Sequence, residues 1–162
     1  DATPAMVQLA AELAGENPLS TRMTFQLIET VERLPFSDGS FDGILCSSVI
    51  EYLDRPKNCL EELSRVLKPG GLILISIPNR HSIYRRLEKT LFYFSNRFLS
   101  RPFPRYFGFV RNTFSSSEFL QLLREVEISP IRTSNGGLGL PGWIDRSKRV
   151  GTMIFVLGIK LP

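Results

Sequence analysis

A helical pattern that gives way to an apolar strand within a few residues most constrains what this chain can fold into. From Asp54 to Lys68, the residues Cys59, Leu60, Leu63, Val66 and Leu67 fall on one helical face. Asp54 and Pro56 supply the start, and Pro69, Gly70 and Gly71 the stop. The next run, Gly71 to Ile77 (GLILISI), is apolar, as a strand buried on both faces should be. Such a strand needs neighbours beside it and helices over it, which predicts an α/β fold with a mostly parallel sheet.

The rest of the chain extends this alternation. Pro4 to Ala14 reads as a short helix ended by Gly15 and Pro18. Met23–Thr30 reads as a strand, LPFSDGS as a turn, and Phe41–Cys46 (FDGILC) as a short apolar strand. A helix is predicted from Ser82 to Leu99, followed by an irregular stretch at Pro102 and Pro104. Ser115–Val126 carries two start signals: Ser115 with Glu118 as a capping box, and Phe114 with Phe119 as a hydrophobic staple. Ile128–Thr133 is a weak strand, SNGGLGLPG a flexible loop, and Gly151–Lys160 the last strand. A length of 162 residues predicts one domain over 1–162.

Composition narrows the class. With 43% apolar and 22% charged residues the chain is globular, neither disordered nor a disulfide scaffold. Two cysteines, Cys46 and Cys59, point to a reducing compartment, and hence the cytoplasm. The longest apolar run is too short to span a bilayer, and no signal peptide is read. The net charge of +4 is unevenly placed. Arg80–Arg111 holds eight Lys or Arg and one acid, among nine aromatics, while the remainder is net acidic. Basic charge confined to one segment argues against nucleic acid as the partner.

The stretch LPFSDGSFDGILCSSVIEYLDRPKNCLEELSRVLKPGGLILISIPN closely resembles the class I S-adenosylmethionine-dependent methyltransferases of small molecules. DATPAMVQLA resembles the segment after that family's second strand, and RNTFSSSEFLQLLREVEISPI its later helix and sixth strand. The resemblance covers Asp1–Asn79 and, more loosely, Phe114–Ile131. It leaves out Arg80–Arg111, an insertion over about 80–112. It implies a Rossmann-like sheet, mostly parallel with an antiparallel last strand, and S-adenosyl-L-methionine as cofactor. The family's glycine-rich loop lies about 20 residues before the acid that matches Asp1. The chain begins at Asp1 rather than Met, so the domain is expected to be N-terminally truncated, a fragment of a longer enzyme. In the family strand order 3-2-1-4-5-7-6, Met23–Thr30 would then stand roughly 14 Å from the Phe41 strand, at about 4.8 Å per strand, and could not pair with it. Its sheet would need completion from elsewhere.

The resemblance also implies site residues. Asp1, with Ala2 after it, matches the acid that accepts both ribose hydroxyls; the alternative is a frayed terminus. Thr30, Val31 and Glu32 follow the third strand, where the family holds adenine; Thr stands where many members have Asp. Cys46 and Ser47 end the central strand beside the methionine end of the cofactor, Cys46 as a small buried filler rather than a nucleophile. Glu51 and Tyr52 follow. Quinone-biosynthesis O-methyltransferases carry Glu-x-x-Glu-His here and bind a divalent metal. This chain reads Ser48-Val49-Ile50-Glu51-Tyr52, keeping one ligand of three, so no metal is expected. Glu51 faces the substrate or is an exposed acid. Asn79 and Arg80 follow the fifth strand on the substrate side. His81, the single histidine, is a candidate general base or plain polar surface.

The basic, aromatic insertion leaves the sheet at a carboxyl end. It is read as a lid for an apolar or anionic substrate, as a face for a membrane surface, as a homodimer face, or as a partly buried helix with solvated arginines. The function expected is methyl transfer to a small-molecule or lipid-like acceptor. The alternative is a non-catalytic module that uses 80–112 to hold a membrane or a protein partner, which would place the protein at the membrane periphery.

Overall fold

The computed structural model describes residues 3–15, 17, 18, 20–98, 108–137, 147 and 149–162. Contacts divide the chain into two compact units, Asp1–Phe36 and Ser37–Pro162. In the first, helix α1 spans Pro4–Gly15 and a 3-10 turn spans Ser20–Arg22. Met23–Thr30 forms no strand. The expected strand has no pairing neighbour among the described residues, and an extended segment without one makes no ladder.

The second unit holds a four-stranded sheet of order β1-β2-β4-β3, with β1 at Phe41–Ser47, β2 at Leu67–Pro78, β3 at Ile128–Gly136 and β4 at Met153–Lys160. β1 and β2 are parallel, and β4 runs antiparallel to both β2 and β3. Three strands therefore point one way and the last is reversed, as the resemblance implied. Helix α2 (Pro56–Val66) joins β1 to β2, α3 (Ile83–Phe98) follows β2, and α4 (Ser116–Glu125) precedes β3. Ser134, Asn135 and Gly136, expected in a loop, extend β3. Pro102, Pro104, Trp143 and the LGLPG end of that loop lie outside the described residues.

α2 buries the face read from its period: Cys59, Leu60, Leu63 and Val66. The helix ends at Val66, β2 begins directly at Leu67, and Lys68-Pro69-Gly70-Gly71 lies within the first part of the strand. Phe41 pairs with Leu67, but Gly43 pairs with Leu72, so the extra residues bulge from the ladder. Gly70 sits at φ +76, and a Cβ on Gly71 would lie 2.7 Å from the Leu67 side chain. Both glycines are thus required by geometry.

β2 is buried on both faces only over its last four residues, Ile75 to Pro78. Ile73, Ile75 and Ile77 are buried, with Ile154 and Val156 of β4, Phe119 and Leu123 of α4, and the α2 face. Leu72 and Leu74 alternate with them and stay exposed, and Leu45 opposite Leu74 is 71% exposed. Helices cover one side of β1 and β2 among the described residues, and the pleat turns every second residue to the other. The outer edge of β1 likewise has no strand beside it among the described residues.

α4 has the two start signals read from sequence. Ser115 Oγ accepts from the Glu118 N–H at 3.2 Å, and Glu118 accepts from the Ser115 N–H at 2.9 Å. The Phe114 and Phe119 rings lie 5.5 Å apart.

Candidate functional site

Parallel pairing brings the carboxyl ends of β1 and β2 side by side, Ser47 opposite Ser76. Ligands in open α/β sheets bind beyond such ends. The Ser47 and Ser76 hydroxyls are 2.9 Å apart, and Ser76 Oγ also accepts from the Ser48 N–H. Ser76, the lone polar residue in GLILISI, is the fastener between the two strand ends; that interruption was its signal in the sequence. Ser48 has φ 54, a left-handed conformation uncommon outside glycine. The chain there turns sharply into the 3-10 turn Ile50–Tyr52.

That turn positions Glu51. Its backbone carbonyl accepts from the N–H groups of Arg111 (2.8 Å) and Asn112 (3.0 Å). The Asn112 amide donates to Leu53 O, and Arg111 pairs with Asp54. The chain returning from the insertion therefore clamps the turn from both sides. Glu51 is 3% exposed, not a surface acid, and its Oε2 has no hydrogen-bond partner among the described residues. Burial pushes its pKa up, while its own backbone, Arg85 and the Ser48 hydroxyl pull it down, with burial the largest effect. Arg85, read from sequence only as one of the basic residues of the insertion, donates to Thr152 O at 2.8 Å and sets a positive charge near Glu51.

The other candidates differ in what they can do. Cys46 is buried and its thiol is pushed up to about 11, by burial first and then by Glu51. It stays a neutral thiol at pH 7, the inert filler read from sequence. Tyr52 is exposed in the turn. Asn79 is buried, donating to Gly151 O at 2.8 Å and accepting from the His81 N–H at 3.0 Å, so its amide holds the end of β2 to the start of β4. The Arg80 guanidinium is engaged by Thr113 O and by Glu118. The His81 side chain is exposed beside Asn79.

In the first unit, Thr30 Oγ1 accepts from the Glu32 N–H at 3.1 Å, closing a local turn that includes Val31. Asp1 and Ala2 lie outside the described residues. No three acidic, histidine or cysteine side chains converge as a metal site among the described residues.

The chain is similar to known methyltransferases in sequence and in fold. Residues 1–75 match the family model described as a methyltransferase domain. A ubiquinone/menaquinone biosynthesis C-methyltransferase of Geobacter is 40% identical over 76 residues, 46% of this chain and 32% of that protein. An uncharacterised protein of Methanocaldococcus jannaschii is 40% identical over 79 residues, 46% of this chain and 38% of that protein. The chain thus spans about a third of the length of these relatives. Among solved structures, a SAM-dependent methyltransferase from Thermotoga maritima superposes with TM-score 0.70 at 22% identity, covering 99% of this chain and 70% of that one. At such identity the likeness shows the fold. The cofactor of this family is S-adenosyl-L-methionine. The carboxyl end of β1 suits it chemically: Cys46 and Ser47 are small, and the nearby buried carboxylate of Glu51 suits a sulfonium cation. The chain has the fold of the S-adenosylmethionine-dependent methyltransferases, and its residues 1–75 match the model of a methyltransferase domain.

Proposed function

We propose that this chain forms the acceptor side of a methyltransferase that acts on a small, lipid-like molecule. The observation that carries the reading is Glu51: a buried carboxylate just beyond the carboxyl end of β1, with an acceptor oxygen that has no partner among the described residues. A buried oxygen without a partner costs about 1–3 kcal/mol, so its retention there calls for a ligand donor. Bound S-adenosyl-L-methionine supplies an electrophilic methyl group on a positive sulfonium. Glu51 Oε2 would accept the hydrogen bond of the acceptor's O–H, N–H or acidic C–H and take that proton as the acceptor bonds the methyl carbon, while the carbon–sulfur bond breaks and the sulfur leaves as a neutral thioether. The raised pKa makes Glu51 a stronger base than an exposed carboxylate. Arg85 steadies the ionised form before transfer. Cys46 and Ser47 would line the cofactor's methionine end. His81 and Tyr52 contact the acceptor at the rim, while Asn79 and Arg80 hold the scaffold that presents them.

Several matched relatives carry names for quinone or tocopherol methylation, which favours a phenolic lipid as acceptor. The reading also calls for more of the fold than residues 37–162 hold. The open edge of β1 and the exposed Leu45, Leu72 and Leu74 take a further strand and a covering layer, the part of a full-length enzyme that completes the cofactor site. The test is calorimetric titration of the full-length protein with S-adenosyl-L-methionine, followed by transfer of labelled methyl to prenylated phenols. Saturable cofactor binding and transfer lost in Glu51→Gln are expected. Absence of cofactor binding overturns the reading.

A further inference from the structure

Helix α3 buries the wrong face for an ordinary amphipathic helix. At 100° per residue, Ile83, Tyr84, Leu87, Leu91 and Phe94 form one stripe. All five are exposed, Phe94 by 67%. The helix is held from the opposite side, where Arg85 donates to Thr152 O and Phe92 is half-buried. Along one flank of the stripe stand Arg86 and Arg97, both exposed. Among the described residues Arg86 has no ion-pair partner. The stripe also runs into a cavity of about 620 Å³ at the helix start, which Ile83 and Arg86 share with Arg149, His81 and the first turn of α4, Ser115–Ser117.

That cavity is cationic. Arg149 has no ion-pair partner among the described residues. Glu118, the nearest acid of α4, spends one oxygen on Arg80 and the other on the Ser115 N–H. The N–H groups of Ser116 and Ser117 open the helix, where anions are favoured.

We propose that α3 and this cavity dock the protein on an anionic phospholipid surface. The stripe enters the interface, and Arg86 and Arg149 take a headgroup phosphate. Charge complementarity selects this occupant: an apolar stripe bordered by unpaired arginines matches acyl chains beneath phosphates. A protein partner would have to bring a carboxylate to each of those arginines as it is desolvated, whereas a phosphate surface offers an anion at every position. No described helix is long and apolar enough to cross the bilayer, so contact is interfacial. The docking surface does not depend on the transfer chemistry.

The test is flotation of the full-length protein with phosphatidylcholine vesicles, with and without phosphatidylserine. Binding is expected to the anionic vesicles only, and to be released by high salt. Arg86→Gln with Arg149→Gln should weaken it about fivefold for each arginine. Leu91→Gln with Phe94→Gln should weaken it about tenfold for each residue. These side chains are exposed, so unchanged circular dichroism is expected. Equal binding to both vesicle types, no binding, or variants that bind like the wild type overturn the proposal. So does saturable binding of inorganic phosphate without vesicle binding, which makes the cavity a site for a soluble anion. A dimer in light scattering that only the Leu91, Phe94 variant dissociates, without flotation, makes the stripe a protein interface and also overturns it. Cofactor titration on the same samples separates this result from the methyltransferase reading.

Discussion

Replacing Glu51 by Gln should raise stability at neutral pH while abolishing transfer. The substitution keeps the side-chain volume and removes the charge. In the folded protein, burial holds the Glu51 pKa above its ordinary value of 4.5. The native state therefore binds this proton more tightly than the unfolded chain. The contribution of Glu51 to stability is fully present below the unfolded pKa and is lost as pH rises through the higher folded one. At pH 8 the ionised carboxylate keeps a buried oxygen unpaired, at about 1–3 kcal/mol. Gln removes the negative charge from that unpaired position, lowering its desolvation cost, and gives up the attraction to Arg85, which is only half-buried and retains its bond to Thr152 O. Relief outweighs loss. For 162 residues, about 2.1 cal/mol/K per residue makes each kcal/mol worth about 3 °C, so the variant should melt roughly 3–9 °C higher. Near pH 4 both side chains are neutral and the difference should close. Scanning calorimetry of ligand-free protein at the two pH values measures this. A Gln variant that melts lower at pH 8 would mean Glu51 is already satisfied as half of a buried pair, and the argument for a ligand there would collapse.

Other consequences follow from packing and capping. Ser115→Ala removes the acceptor for the Glu118 N–H and should cost about 1 kcal/mol in urea unfolding. Phe119→Ala, at a fully buried position against Phe114, should cost about 3–5 kcal/mol by the same measurement. A Cβ on Gly158 would sit 2.6 Å from Ile128 Cγ2, so Gly158→Ala should overpack the β3–β4 contact by about 1–3 kcal/mol. Leu45→Glu separates two states of the sheet face. Its cost stays within about 0.5 kcal/mol if Leu45 remains exposed in the full-length protein, and reaches about 2–5 kcal/mol if a further layer covers it, the outcome expected here.

The parts of this fold that sequence resolves are those set by local rules. The α2 stripe, the Ser115–Glu118 box and the Phe114–Phe119 staple each lie within a few residues, where period and capping chemistry act. The parallel β1–β2 pair was legible because one helix joins two apolar runs. Burial of β2 was overread at Leu72 and Leu74 because GLILISI looks alike whether one face or two are covered, and coverage depends on remote chain. Met23–Thr30 failed for the same reason: strand propensity makes no ladder without a neighbour. Glu51 was named from sequence, but not its burial, in a turn whose backbone is held by Arg111 and Asn112, sixty residues on. Arg85 was hidden among the basic residues of α3, and only the docking of that helix onto Thr152 separates it from Arg86.

Two apolar surfaces are exposed in this unit, and their borders assign them different occupants. On the sheet, Leu45, Leu72 and Leu74 lie beside an unpaired strand edge; the charges nearest in register, Asp42 and Lys68, already neutralise each other at 2.7 Å. A surface of that kind offers backbone hydrogen bonds and apolar area without net charge, which suits a further strand and helix. On α3 the backbone is satisfied within the helix, so only side chains can select a partner. There the border is Arg86 and Arg97, with Arg149 in the adjoining cavity, and an anionic interface rather than more of the fold satisfies it. Under the two proposals, covering the first surface would complete the enzyme, and covering the second would place it at a membrane. Leu45→Glu should therefore damage folding while leaving the vesicle contact of surviving protein intact, and Leu91→Gln with Phe94→Gln should do the reverse.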